Sequence, residues 1–146
     1  MIEALPPYSE MRDSGVEWLG AIPAHWEVRR SKTAFRTIDR RSQTGKEELL
    51  TVSSKRGVVR RADTSVTMFK AASYVGHKLC WPGDLVVNSL WAWANGLGFA
   101  REHGLVSSAY SVYRPIPEFA DYANYLDRLL RSDVYNWEFT TRSKEI

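Results

Sequence analysis

Proline, glycine and small polar residues interrupt this chain so often that its apolar residues come in short runs, and short runs fold as strands joined by turns. Leu49-Leu50-Thr51-Val52-Ser53 and Gly57-Val58-Val59-Arg60-Arg61 read as two strands joined by a basic tip, Ser54-Lys55-Arg56. Trp81-Pro82-Gly83-Asp84 places Pro and Gly at the central positions of a type II turn. Leu85-Val86-Val87-Asn88 comes next as a strand whose unbroken apolar character fits a central place in a sheet. Residues 91–98, with two glycines and no period, read as an ordered loop. Residues 99–101 and 105–113 flank Glu102-His103-Gly104 as a hairpin, and Arg114-Pro115-Ile116-Pro117 stops the second strand.

Helical periodicity is confined to the two flanks of this strand-rich region. Phe119, Tyr122, Ala123, Leu126, Leu129 and Leu130 fall on one helix face. Ser132-Asp133 ends that helix and caps a second, whose Val134, Tyr135, Trp137 and Phe139 are core by default. Upstream, Ala34, Phe35 and Ile38 have helical spacing within 26–41, so a short strand or turn leading into a helix is expected there, closed by Ser42-Gln43-Thr44-Gly45. Residues 1–27 read as an extended leader, because Pro6-Pro7 and Ile22-Pro23 discourage helix and Asp13-Ser14-Gly15 and Leu19-Gly20 are turn chemistry. Its Trp18, Leu19, Ile22 and Trp26 are expected to pin it to the surface of the domain formed by 28–146. The expected fold is α+β: a single domain with a mostly antiparallel or mixed sheet flanked by helices.

At 146 residues, 44% apolar and 25% charged, the chain can bury one good core and is neither disordered nor fibrous. No apolar stretch approaches the length that spans a bilayer. The start, MIEALPPYSEM, lacks the basic and apolar regions of a signal peptide, and the single cysteine, Cys80, has no disulfide partner within the chain. A cytoplasmic protein is expected. Charge is distributed unevenly. Residues 28–61 hold eleven cations and three anions, a net of +8, so the remainder carries −5 within the overall +3. Such a segment on an acidic body is either a solvated basic face or the footprint of a polyanion partner.

Catalytic signatures are missing. His25, His77 and His103 are scattered, and His77-x-x-Cys80 without a second pair is not a metal site. Gly96-x-Gly98 lacks the further glycines and βαβ setting of a dinucleotide loop, and there is no P-loop. No Asn-Pro-Pro-Tyr run and no Glu-x-Lys after Asp84 supplies a methyltransferase loop or a nuclease metal site. A binding module is expected, with no catalytic residue, metal or cofactor. The candidate readers are Asn88, Trp91, Trp93 and Asn95, just after a buried strand that would hold them still. An amide presents the donor–acceptor pair that adenine matches in the major groove. For the tryptophans the competing role is packing, and for Asn95-Gly96 a plain turn. Lys55, Arg56, Lys70 and Arg101 are candidates to neutralise phosphates or reach bases. Arg60 and Arg61, adjacent on a strand and so on opposite faces, are candidates to position the backbone.

These pieces resemble a known family. Asp13-Ser14-Gly15-Val16-Glu17-Trp18-Leu19-Gly20-Ala21-Ile22-Pro23-Ala24-His25-Trp26-Glu27-Val28 is similar to the N-terminus of type I restriction-modification specificity subunits. Gly83-Asp84-Leu85-Val86-Val87-Asn88 with Trp91-Ala92-Trp93, then Leu105-Val106-Ser107-Ser108-Ala109-Tyr110 and Val112-Tyr113-Arg114-Pro115, continue the likeness in order over nearly the whole chain. The resemblance implies a target recognition domain that reads one half of a split site in double-stranded DNA and is itself non-catalytic. It further implies methyltransferase (modification) subunits docked on spacer helices and motor-nuclease (restriction) subunits for cleavage. S-adenosylmethionine, ATP and magnesium would belong to those partners. The chain is shorter than such a subunit, so a truncated subunit or gene fragment is expected, and Ser31 stands where the family often has an apolar residue. The alternative is a stand-alone nucleic-acid-binding or protein-interaction domain that has lost the complex.

Overall fold

Leu85-Val86-Val87 forms the central strand of the computed structural model, which describes residues 5–64 and 70–142. In chain order the strands are β1 (Met11–Asp13), β2 (Ala21–Pro23), β3 (Phe35–Thr37), β4 (Leu50–Ser53), β5 (Gly57–Arg60), β6 (Lys78–Cys80), β7 (Leu85–Val87), β8 (Leu97–Phe99), β9 (Gly104–Val106) and β10 (Ser111–Pro115). The helices are a single turn α1 (Ser31–Ala34), then α2 (Ala123–Leu130) and α3 (Asp133–Arg142). Among the described residues all strand pairings are antiparallel, with one parallel bridge between Leu49 and Leu105. The α+β class expected from the sequence is the class observed. Among the described residues no helix is long and apolar enough to cross a membrane.

The described chain divides into one compact unit up to Ser31 and another from Lys32. The first unit is a hairpin rather than a plain extended leader. β1 and β2 pair with Arg12 opposite Ile22, and Ser14 N–H donates to Gly20 O (2.9 Å) to close the loop. Asp13 Oδ1 accepts from Gly15 N–H (2.8 Å), so the residues read as turn formers close this hairpin. Arg12 donates to Trp26 O (2.6 Å), and Tyr8 lies against His25 and Trp26.

The second unit has three layers. Its middle is a four-stranded sheet in the order β3-β10-β7-β8, so β7 is flanked on both sides as its apolar run implied. Alternation along β7 sends Val86 to one face and Leu85 and Val87 to the other. On the Val86 face, Leu50, Val58, Cys80 and Val106 come from the β4–β5 hairpin and the β6–β9 pair. On the opposite face, Leu85, Leu97 and Phe99 meet Leu126 and Leu130 of α2 and Tyr135 and Phe139 of α3.

Several local expectations fail for identifiable reasons. The helix expected within 26–41 is one turn, because Phe35–Thr37 pairs with β10 at the sheet edge and sheet pairing overrides the spacing. The hairpin expected around Glu102-His103-Gly104 does not form. β8 pairs with β7 and β9 with β6, so the chain crosses between layers there. The expected strand over 105–113 breaks at a turn closed by Tyr110 N–H to Ser107 O (3.0 Å). Residues 117–122 wind as a 3₁₀ helix, whose tighter turn leaves Tyr122 exposed rather than on the apolar face of α2. Val134 and Trp137, expected in the core, are also exposed, since α3 buries only the side carrying Tyr135 and Phe139.

Candidate nucleic-acid interface

The turn expected at Trp81-Pro82-Gly83-Asp84 sets a buried carboxylate at the start of the central strand. Asp84 N–H donates to Trp81 O (3.0 Å) and Gly83 has φ +90°, the type II geometry that only glycine enters without strain. Asp84 is 1% exposed and accepts both arms of the Arg114 fork, at 2.8 and 3.0 Å, as well as Trp81 N–H at 2.8 Å. The Arg114 guanidinium lies 5.4 Å from the Trp81 ring, which stacks on His103 at 4.9 Å. Hydrogen bonding to Asp84 raises the Arg114 pKa. Two of the segments that carried the family resemblance, around Asp84 and around Arg114, are thus one structural unit: a strand pair locked by a charge pair.

The loop after β7 folds on itself. Asn88 N–H donates to Gly96 O (2.7 Å), while Asn88 Oδ1 accepts from Leu90 N–H (3.2 Å). Asn95 sits in the left-handed region at φ 61°, which asparagine tolerates better than most residues. Both asparagines therefore have a local structural role, with the Asn88 amide NH₂ left to donate. Trp91 and Trp93 are 54% and 43% exposed, their rings 5.7 Å apart, so neither is packed away as a core tryptophan. Trp93 Nε1 donates to Leu90 O (3.1 Å), which fixes that ring.

The predicted cations separate into different settings. Arg60 is bound by Glu102 through a fork at 2.9–3.0 Å, with Glu48 at 3.9 Å, and this bonding holds the Glu102 carboxyl below the usual carboxylate range. It is already neutralised within the chain. Arg61 is not an adjacent strand residue on the opposite face. It opens a 3₁₀ turn, Arg61–Asp63, and its guanidinium reaches the Tyr74 hydroxyl (3.5 Å). Lys55 and Lys70 are exposed, Lys55 at the β4–β5 tip.

Arg56 and Arg101 are brought together with Arg128, which the sequence reading missed. All three line one open cleft of about 640 Å³ between the β4–β5 tip, the end of β8 and the first turns of α2. Arg131, just after α2, ties the hairpin down by donating to Ser54 O (2.7 Å). Arg128 was legible as a polar position opposite Leu126 and Leu130, but nothing local links it to Arg56, 72 positions earlier. No group of three or more His, Cys, Asp or Glu among the described residues is arranged to hold a metal. No protein-family model matches the sequence, and no curated protein matches it.

Proposed function

We propose that this chain is a cytoplasmic, sequence-specific DNA-binding module that reads one half of a split site for a type I restriction-modification complex and is itself non-catalytic. The observation that carries the DNA-binding part is the state of the basic segment. Lys32, Arg36, Arg40, Lys46 and Lys55 are exposed and have no ion pair among the described residues, so their charge is open to a polyanion. The resemblance to specificity subunits supplies the half-site and the methyltransferase and motor-nuclease partners. In this reading the loop from Asn88 to Asn95 supplies sequence preference, through the exposed Trp91 and Trp93 and the Asn88 NH₂, and the cations hold the duplex.

A second reading has one observation in its favour. Leu90, Trp91, Trp93, Val134 and Trp137 are all exposed, and α3 packs on the turn Ala92–Ala94, which suits a protein-docking surface. The discriminating experiment is co-expression with a type I methyltransferase subunit, followed by co-purification and genome-wide mapping of methylated adenine. Our reading expects this domain, grafted into an intact specificity subunit that supplies the spacer helices, to co-purify with the methyltransferase and direct it to a half-site that changes when residues 88–95 are exchanged. A graft that methylates the same motif whichever loop it carries contradicts it.

A further inference from the structure

We infer that the cleft between the β4–β5 tip and α2 is the seat of a nucleic-acid phosphodiester backbone, held by Arg56, Arg101 and Arg128. This rests on the DNA-binding reading above and assigns its anchoring site. Three arginines and one acidic residue, Asp127, are among the cleft's described lining residues. That carboxylate is already engaged: Asp127 Oδ1 accepts from Phe99 N–H (3.1 Å) and its other oxygen lies 3.6 Å from Arg131. Arg56 gives one arm to Asp63 O (3.1 Å), a neutral acceptor that leaves its charge uncompensated. The side chains of Arg101 and Arg128 are exposed and have no ion pair or hydrogen bond among the described residues.

Three arginines around one space, whose one lining acid is already paired with Arg131, repel one another unless an anion enters. The cleft's remaining polar lining, Asn124 and Tyr125, is neutral. A volume of about 640 Å³ is more than one phosphate group needs and suits a run of backbone. Guanidinium forks match phosphate oxygens bidentately, and phosphate contact of this kind positions a duplex without reading its bases. The anchoring role assigned from sequence to Arg60 and Arg61 therefore passes to these three residues.

The test is fluorescence anisotropy with a labelled 20-base-pair duplex, titrated at several salt concentrations against the wild-type chain and its variants. Arg56→Ala, Arg101→Ala and Arg128→Ala should each lower the slope of log affinity against log salt by about one unit, equally for unrelated sequences. The triple lysine variant should keep the slope, since charge sets it. A duplex with neutral methylphosphonate linkages should erase the difference between wild type and the triple alanine variant. Wild type that binds with a salt slope the triple alanine variant shares overturns this inference and leaves the DNA-binding reading standing. Wild type that does not bind the duplex overturns both. All three side chains are exposed, and the single variants give the same readout where the triple variant is unstable.

Discussion

Asp84 is the only acidic side chain among the buried described residues, and Arg114 is its counter-charge. Removing Arg114 would strand a carboxylate at 1% exposure, so Arg114→Ala should cost about 3 kcal/mol, the lower end of the range for breaking a buried pair because the arginine is itself 41% exposed. Urea unfolding measures this, and a loss below about 1 kcal/mol would contradict the assignment. Cys80 makes a second prediction at this scale. Burial, then the nearby Asp84 charge, pushes its thiol from 9.0 up to about 12. The native thiol should resist alkylation at pH 8 and react once the chain is unfolded. The folded thiol keeps its proton where the unfolded one loses it, so this group's contribution to stability is full below pH 9 and declines as pH rises toward 12. Rapid labelling of the native chain would refute the buried placement. The sequence announced the turn that holds Asp84 but not its partner, which lies 30 positions away; ion pairs between distant residues leave no local pattern.

Between elements, close backbone approach decides the packing. Gly98 of β8 lies under the β4–β5 hairpin, where an added Cβ would come within 2.9 Å of Gly57 Cα and 3.0 Å of Val58 N. Backbone cannot swing aside as a flexible side chain can. Gly98→Ala should therefore destabilise by about 1–3 kcal/mol, the range for overpacking a dense interior, although the residue is in a strand where alanine would otherwise be tolerated. Thermal unfolding reads this, and an unchanged midpoint would mean that the two layers do not meet at Gly98. The β4–β5 hairpin, β7 and the α2 face were legible because each is defined by neighbours in sequence. β3 and the β6–β9 pair were not, because they are defined by partners dozens of residues away.

For the molecule as a whole, the sequence located the positive charge but not its arrangement. Arg60, prominent in the basic segment, is consumed by Glu102, whereas Arg128, outside that segment, shares a cleft with Arg56 and Arg101. On the loop after β7, Trp91 and Trp93 stand half open to solvent instead of buried. A module that holds DNA by charge and reads one half-site should bind weakly alone, with a Kd of about 10⁻⁴–10⁻⁶ M at physiological salt. It should also show no nuclease or methyltransferase turnover with magnesium and S-adenosylmethionine. Turnover that survives purification and vanishes on a single substitution in this chain would contradict the binding-module reading.

The measurement that bears most directly on the central claim is the affinity of the isolated chain for duplex DNA between 50 and 200 mM salt. With about four to six phosphate contacts, affinity should fall about 10²–10³-fold across that range, from the release of counterions condensed on the DNA. Binding that is absent at low salt, or that is indifferent to salt, would contradict the claim that this chain presents its open cations to a DNA backbone.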